Sequence, residues 1–285
     1  MEQTAEWTDD PVRTRDGRTL FAQRAGSGSL AVIFESGLGV SRNMWGAVAP
    51  AVADRTTTVV YDRSGLGRSA PDPARRDLDR LAGDLLDVID HVGGGPVVLV
   101  GHSWGGPIVR TVAARCPEAV AGLVLVDPTD ELCEVFFSRG NQLQTRLAGP
   151  LFAVMGRLGA LAKVAQRTAK DLPEPWASNL LAEDGTRTAA TAAAAEVRET
   201  LTDLRRLRAT PLPDLEMPIT LVGAQRASRL ERGRREELLE AYRSRVDACP
   251  QGRFVPAERS GHMAPVEEPE LVVAEVLALL GGATT

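Results

Sequence analysis

The sequence predicts an α/β fold: a mostly parallel, eight-stranded sheet with helices on both faces and an inserted helical cap. Apolar runs rich in β-branched residues alternate along the chain with helical patterns, as in parallel sheets whose strands are buried on both faces. From about Glu131 to Leu215 this alternation stops, and helical patterns rich in alanine, leucine and arginine replace it. We therefore expect a core domain formed by residues 1–130 and 216–285, with a helical cap at residues 131–215.

The strongest local pattern surrounds Ser103. An apolar run, Val97–Val100, predicts a buried strand, and a helical pattern starts at Pro107. Between them, glycines stand two residues before and two residues after Ser103. Strand, G-x-S-x-G and helix together indicate a nucleophile elbow, a tight turn that holds the serine in a strained conformation with its hydroxyl exposed. The alternative, a turn rich in small residues, leaves the preceding apolar run unexplained.

The other elements follow from periodicity and turn residues. Asp16 and Gly17 suit the turn of a hairpin within residues 12–25. Residues 77–92 show one apolar face at helical spacing, and three glycines follow that predicted helix. We predict further strands at residues 30–34, 56–61, 123–126, 218–223 and 253–255, and further helices at residues 45–52, 107–114, 188–208, 228–245 and 269–280.

A nucleophilic serine requires a general base, and the chain has three histidines. His91 ends a predicted helix, where a cation suits the helix dipole. His102 directly precedes Ser103, so its side chain points away from the serine side chain and we interpret it as structural. His262 follows the last predicted strand, in a loop at the same edge of the sheet as Ser103. The sequence therefore predicts His262 as the general base.

The base also requires a carboxylate that orients it. Asp127 follows the predicted strand at 123–126 and is our predicted acid, with Asp130 in the same loop as the alternative. The loop after Val222 contains no carboxylate before Ala227. An aspartate after a strand also serves as a turn or helix cap, and this alternative stays open for Asp127.

These patterns resemble the α/β-hydrolase family with a cap, and the resemblance extends over essentially the whole chain. It is carried by residues 101–106 (Gly-His-Ser-Trp-Gly-Gly), 62–69 (Asp-Arg-Ser-Gly-Leu-Gly-Arg-Ser) and 260–262 (Ser-Gly-His). The resemblance implies that the backbone N–H groups of Leu38 and Trp104 form an oxyanion hole. The acid of the family usually follows the seventh strand, where this chain has Arg226, but some members carry it after the sixth, which matches Asp127.

The resemblance implies acyl transfer by a serine esterase. The predicted substrate is a small-molecule carboxylic ester, thioester or lactone, with no cofactor and no metal. Epoxide hydrolases and haloalkane dehalogenases of this fold use an aspartate nucleophile, and Ser103 in its place argues against both. Lyases, cyclases, cofactor-independent oxygenases and a ligand receptor that retains the triad remain alternatives. Aromatic and sulfur side chains of the predicted cap suit either its core or the pocket: Phe136, Phe137, Phe152, Met155 and Trp176.

Composition narrows the class of protein further. The 285 residues suit one large domain, and the net charge of −5 argues against nucleic acid as a partner. No apolar stretch is long enough to span a bilayer, so no membrane partner is expected. Residues 1–6 lack the basic and apolar pattern of a secretory signal, and the three widely separated cysteines argue against a disulfide framework. We therefore expect a cytoplasmic location.

Overall fold

A mostly parallel sheet of eight strands lies at the centre of the computed structural model, which describes residues 5–228 and 231–283. The strands in chain order are β1 (Thr8–Asp9), β2 (Val12–Arg13), β3 (Thr19–Leu20), β4 (Ala22–Ala25), β5 (Val32–Glu35), β6 (Thr58–Tyr61), β7 (Val97–His102), β8 (Val120–Val126), β9 (Ile219–Ala224) and β10 (Gly252–Ala257). The spatial order of the sheet is β1-β4-β6-β5-β7-β8-β9-β10. The pairings β1–β4 and β4–β6 are antiparallel, and the other pairings are parallel. The predicted hairpin is formed by β2 and β3.

Helices cover both faces of this sheet. They are α1 (Ala49–Ala53), α2 (Leu78–Val92), α3 (Gly105–Arg115), α4 (Arg139–Arg157), α5 (Leu161–Ala169), α6 (Trp176–Asp184), α7 (Arg187–Ala209), α8 (Arg232–Asp247), α9 (Ala264–Glu267) and α10 (Pro269–Ala283). Alternate residues of β7 enter two different cores: Val97 and Leu99 belong to the core beneath α2, α3 and α8, and Val98 and Val100 to the core beneath α1 and α10. The strand is apolar throughout because both of its faces are buried.

Local sequence determines where α2 begins and ends. The Asp77 side chain accepts a hydrogen bond from the Arg80 N–H at 3.0 Å, which caps the first turn. Gly93 follows the last residue with a φ of +61°, a conformation that favours glycine. The predicted helix at residues 77–92 is confirmed to within one residue.

The helix predicted at residues 45–52 is wrong. Residues Arg42–Trp45 form a 3₁₀ turn, and the α-helical part is only α1. Pro50 explains the difference, because proline lacks an N–H and clashes with the preceding turn in a helix interior. It lies instead in the first turn of α1, where that N–H is not needed.

Two short elements, β1 and α9, have no sequence prediction, because two to four residues are too few to show a period. The helix predicted to begin near Ser228 begins at Arg232 as α8, and residues 229–230 of that prediction lie outside the described residues. Residues 1–4 of the segment considered for a secretory signal also lie outside them.

Helices α4 to α7 occupy the stretch between β8 and β9, and no strand interrupts them within the described residues. The end of α7 packs against one face of the sheet, because Leu204 and Leu207 lie in the core that contains α2. The Asp203 carboxylate also accepts a hydrogen bond from the Leu78 N–H at 2.8 Å. The long helix α7 therefore joins the inserted helices to the start of α2.

Candidate active site

Ser103, His262 and Asp127 lie in one hydrogen-bonded row at the carboxyl ends of the central strands. Ser103 directly follows β7, Asp127 directly follows β8, and His262 lies in the loop after β10. His262 Nε2 is 3.0 Å from Ser103 Oγ, and His262 Nδ1 is 2.7 Å from Asp127 Oδ2. The fold thus brings together the three side chains that the sequence predicts as nucleophile, base and acid.

Ser103 occupies a strained turn. Its φ is +52°, a left-handed conformation that costs a residue with a Cβ about 1–2 kcal/mol. A Cβ added to Gly101 would lie 2.7 Å from the Gly105 carbonyl oxygen, and one added to Gly105 would lie 2.5 Å from the Glu35 carbonyl oxygen. Glycine is therefore required on both sides, as the elbow pattern predicts.

Asp127 is buried and has partners on both carboxylate oxygens. Oδ1 accepts a hydrogen bond from the Ala224 N–H at 3.1 Å, forms an ion pair with Arg235, and lies 3.4 Å from the Tyr242 hydroxyl. Burial raises the pKa of Asp127, but the hydrogen bond from His262 and the positive charge of Arg235 outweigh burial and lower the pKa. The carboxylate is therefore ionised at neutral pH.

Asp130, the alternative acid, is held in a different cluster. Its carboxylate accepts a hydrogen bond from Arg245 Nη2 at 2.7 Å, and Arg245 also pairs with Glu131 at 2.8 Å. Arg110 completes this buried group through Glu131. Within the described residues, Asp130 forms no hydrogen bond with a histidine, whereas Asp127 contacts His262 directly.

The other two histidines have partners away from Ser103. His102 is buried, and burial lowers its pKa to about 3, so it is neutral. Its Nε2–H donates to the His262 carbonyl oxygen at 2.8 Å, which supports the loop that carries His262. His91 lies at the surface, 2.8 Å from an Asp10 carboxylate oxygen.

The Ser36–Gly39 loop passes beside Ser103. A Cβ added to Gly37 would lie 3.4 Å from the Ser103 Cβ. Neither the Leu38 N–H nor the Trp104 N–H donates a hydrogen bond to another residue in the described parts of the chain. Both N–H groups, which the resemblance implies as oxyanion donors, therefore remain available to a ligand.

The buried Arg63 side chain holds the Ser36–Gly39 loop through its backbone carbonyl groups. Its Nη1 donates to the Ser36 carbonyl oxygen and its Nη2 to the Gly37 carbonyl oxygen, both at 2.7 Å. Its Nε also lies 2.9 Å from a carboxylate oxygen of Glu196 on α7. The other Glu196 oxygen accepts a hydrogen bond from the Gly39 N–H at 3.0 Å, so α7 contacts the loop both directly and through Arg63.

Burial raises the pKa of Glu196, but the charges of Arg63 and Arg76 outweigh burial and lower it to about 2. The sequence analysis assigned no role to Arg63 or Glu196. A signal for Glu196 exists, because it lies on the same helical face as the buried Ala189 and Ala193. A carboxylate among the buried alanines of a helix indicates a buried hydrogen-bonding or ionic partner, and the same holds for Asp203, seven residues later on this face.

A cleft of about 860 Å³ opens over Ser103 and His262. Much of its lining is charged, with Lys170, Asp171, Arg226, Glu231, Arg234, Arg235 and Glu267 among the lining residues. Of the aromatic and sulfur side chains proposed from the sequence, only Phe136 lines this cleft. Phe137 instead faces the Arg208 guanidinium at 3.7 Å, and Trp176 is buried against Trp7. Phe137 packs against the core that contains α2, and Trp176 belongs to the core beneath α1 and α10, so the two cores of the sheet account for these positions.

Residues 5–228 and 231–283 contain no group of three or more histidine, cysteine, aspartate or glutamate side chains placed to hold a metal ion. The three cysteines, Cys116, Cys133 and Cys249, are free thiols.

Comparison with known proteins points to one family. A sequence profile of the alpha/beta hydrolase family matches residues 32–275. A pimeloyl-[acyl-carrier protein] methyl ester esterase from Sodalis glossinidius is 32% identical over 115 residues, which is 40% of this chain and 43% of that protein. The matched segments span less than half the length of the curated relatives.

Solved structures show the same fold over the whole chain. A thermophilic esterase from Thermogutta terrifontis is 24% identical, with a TM-score of 0.71, covering 98% of this chain and 100% of that one. The epoxide hydrolase VrEH1 from Vigna radiata is 15% identical, with a TM-score of 0.80, covering 99% and 100%. At these identities the likeness concerns the fold, and it does not distinguish between the two activities.

Proposed function

This chain belongs to the alpha/beta hydrolase family, and from that premise we propose that it is a serine hydrolase cleaving carboxylic esters, thioesters or lactones through an acyl-enzyme. The observation that carries the proposal is the position of His262, between Ser103 Oγ at 3.0 Å and Asp127 Oδ2 at 2.7 Å. A neutral imidazole held by a carboxylate on Nδ1 presents an unprotonated Nε2 to the serine hydroxyl. That arrangement suits proton removal from Ser103.

In the proposed reaction, His262 Nε2 takes the Ser103 hydroxyl proton while Oγ attacks the carbonyl carbon of the substrate. The carbonyl oxygen becomes an oxyanion and accepts hydrogen bonds from the N–H groups of Leu38 and Trp104, each worth about 3 kcal/mol in the transition state. The tetrahedral intermediate expels the alcohol or thiol, which receives the proton from His262. Water, deprotonated by His262, then attacks the acyl-enzyme and releases the acid.

We assign residues 131–215 to a cap that contributes to substrate binding. Phe136 and Lys170 belong to this stretch, and both line the cleft over Ser103. The charged lining favours a substrate that carries polar or charged groups beside its acyl bond. The names of the Sodalis relative and the Thermogutta structure, both esterases, support an ester as the bond cleaved.

Epoxide opening is the competing reaction, because several structural neighbours are epoxide hydrolases. Those enzymes attack the epoxide with an aspartate, and this chain has Ser103 at the elbow. A serine gives an acyl-enzyme from an ester, whereas the ether it would form by attacking an epoxide is not hydrolysed by the same site. The nucleophile therefore favours the ester.

The test is a substrate panel with a covalent probe. We expect the purified chain to hydrolyse p-nitrophenyl esters, thioesters or lactones of at least one acyl length, and a fluorophosphonate to label Ser103 as read by peptide mass spectrometry. Ser103→Ala abolishes both signals. Ser228→Ala, which removes another hydroxyl from the lining of the same cleft, keeps both.

Three outcomes contradict the proposal. One is turnover of epoxides without turnover of any ester, thioester or lactone. Another is fluorophosphonate labelling that does not require Ser103. The third is a ligand that raises the melting temperature but is not turned over by wild-type protein, which indicates a receptor.

A further inference from the structure

Helix α4 presents an apolar stripe to solvent. Five side chains on one side of this helix and its end are about half exposed or more: Leu143 (58%), Leu147 (58%), Leu151 (56%), Val154 (48%) and Leu158 (77%). Their spacing of three or four residues places them in one row about 22 Å long. A helix on a folded protein normally buries such a row, so its exposure indicates an interaction surface.

The opposite side of α4 is already packed against α7. Gly149 is buried there, and a Cβ added to Gly156 would lie 2.3 Å from the Ala190 Cβ. Small residues let the two helices approach closely, and this contact fixes which side of α4 faces outward. The leucines therefore cannot turn inward without breaking the α4–α7 contact.

The charge of the segment that carries this stripe is of one sign, and the first carboxylate after it, Asp171, pairs with Lys170 at 3.5 Å. Residues 139–170 contain six basic residues and no aspartate or glutamate, although the whole chain has a net charge of −5. All six are exposed: Arg139, Arg146, Arg157, Lys163, Arg167 and Lys170. The three arginines of α4 lie along one border of the leucine row, and α5 adds Lys163 and Arg167 beside the half-exposed Val164.

We propose that this surface, the exposed side of α4 and α5 and here named the α4–α5 face, docks on an anionic lipid surface. An amphipathic helix with leucines on one side and basic residues at the border places its apolar side chains among the acyl chains and its cations at the headgroups. Each lysine or arginine near an anionic bilayer adds electrostatic attraction. Both features are present on the α4–α5 face.

A lipid surface fits this face better than a second copy of the chain. Two copies meeting through it would bring twelve cations together around a desolvated leucine row, with no carboxylate of residues 139–170 to offset them. A bilayer supplies the opposite charge and accepts an apolar row without a complementary groove. No single helix in the described residues is long and apolar enough to span a membrane, and the axes of α4 and α5 differ in direction by 91°.

This inference revises the expectation of no membrane partner, which relied on the absence of a spanning segment. The face also borders the cleft, because Lys170, which directly follows α5, lines the cleft. Docking would therefore bring the cleft beside the lipid headgroups. The proposal does not depend on the proposed hydrolysis, since binding to vesicles is measured without turnover.

Vesicle sedimentation with the full chain tests whether the α4–α5 face docks on an anionic lipid surface. We expect binding to phosphatidylcholine vesicles that contain about 30 mol% phosphatidylglycerol to be more than tenfold tighter than to pure phosphatidylcholine, and to weaken in 0.5 M NaCl because salt screens the cations. The double variant Leu147→Glu/Leu151→Glu should bind at least tenfold more weakly. The matched double variant Leu132→Glu/Leu181→Glu changes two exposed leucines outside the face and should bind like wild type.

Charge reversal of the three arginines of α4 is the second test of vesicle binding. Arg139→Glu/Arg146→Glu/Arg157→Glu should lose more than tenfold in affinity for the anionic vesicles, whereas Arg13→Glu/Arg55→Glu/Arg205→Glu, with the same change of net charge at exposed positions elsewhere, should lose less. Circular dichroism melting verifies that each variant folds. Equal losses in both triple variants overturn the proposal, as does the absence of vesicle binding by wild type. Dimers dissociated by the Leu147 and Leu151 changes, or binding of polyglutamate without vesicle binding, assign the face to a protein instead.

Discussion

Arg235 on α8 forms an ion pair with Asp127, the carboxylate that accepts a hydrogen bond from His262. One carboxylate thus joins a guanidinium on Oδ1 and an imidazole on Oδ2. The positive charge of Arg235 keeps Asp127 ionised, but it also offsets the negative charge that stabilises a protonated His262. Tyr242 lies on the same helix and donates its hydroxyl proton to the Pro128 carbonyl oxygen at 2.5 Å, so α8 contacts both Asp127 and the residue that follows it.

Replacing Arg235 with methionine should move the acidic limb of the pH profile of kcat/KM to higher pH. Without the guanidinium, the negative charge of Asp127 is no longer partly offset. It therefore stabilises a protonated His262 imidazole more strongly. kcat should also fall, because Asp127 loses one of the groups that orient it. A pH series of ester hydrolysis measures both effects.

Arg234→Met is the control for this shift, because Arg234 lines the same cleft and pairs with Glu231 rather than with Asp127. A limb that moves equally in both variants would assign the effect to the general charge of the cleft. An unmoved limb in Arg235→Met would show that the guanidinium does not influence His262.

Asp127→Asn should lower kcat by roughly 10³- to 10⁴-fold with the fold intact. The Ala224 N–H and Arg235 both donate to Oδ1, so the asparagine carbonyl oxygen takes that position and its NH₂ group faces His262. The imidazole must then accept on Nδ1 and carry its proton on Nε2, the wrong tautomer for taking a proton from Ser103. Stopped-flow kinetics with a p-nitrophenyl ester measures the loss, and a decrease of less than tenfold would leave Asp127 as a cap only.

Sequence patterns predict the site where its parts are local. The elbow at Ser103 and the position of His262 after the last strand both follow from a few neighbouring residues and the rule for parallel sheets. The ion pair between Asp127 and Arg235 cannot be predicted in this way. The two residues are 108 positions apart, and whether the guanidinium contacts the carboxylate depends on how α8 packs. Glu196 meets Arg63 across 133 residues for the same reason.

The α4–α5 face was missed for a different reason. The net charge of the whole chain does not show how the charges are distributed. The net charge is −5, yet the charged residues at positions 139–170 are all basic. The helical period of the leucines is visible in the sequence, but a period alone does not distinguish a buried side from an exposed one. Only the packing of Gly149 and Gly156 against α7 shows that the leucines face outward.

Ser103→Gly should stabilise the fold while abolishing activity. A φ of +52° is strained for serine and unstrained for glycine, so we expect the free energy of unfolding to exceed that of Ser103→Ala by about 1 kcal/mol. Both variants lack the hydroxyl, and only the alanine keeps the Cβ. Urea unfolding of the two variants measures the difference, and equal stabilities would show that the turn is relaxed.

Glu196→Gln should destabilise the protein and slow catalysis together. It leaves Arg63 and Arg76 buried with less negative charge, which typically costs about 3 kcal/mol. It also weakens the contacts that hold the Ser36–Gly39 loop, so kcat should fall more than KM rises if this loop stabilises an oxyanion. Glu199→Gln, on the same helix and paired with the exposed Arg75, should cost less than about 1 kcal/mol.

The pH dependence of the free energy of unfolding tests whether the lost charge of Glu196 causes the destabilisation expected for Glu196→Gln. The pKa of Glu196 is about 2 in the folded protein, against an ordinary value of 4.5, so the folded state binds the proton less readily than the unfolded state. Its stabilising contribution is complete above pH 4.5 and is lost as pH falls toward 2. The stability gap between wild type and Glu196→Gln should therefore be constant from pH 8 to about 5 and narrow below 4.5, as measured by urea unfolding at each pH. A gap that stays constant to pH 3 would mean that glutamine disturbs packing rather than charge.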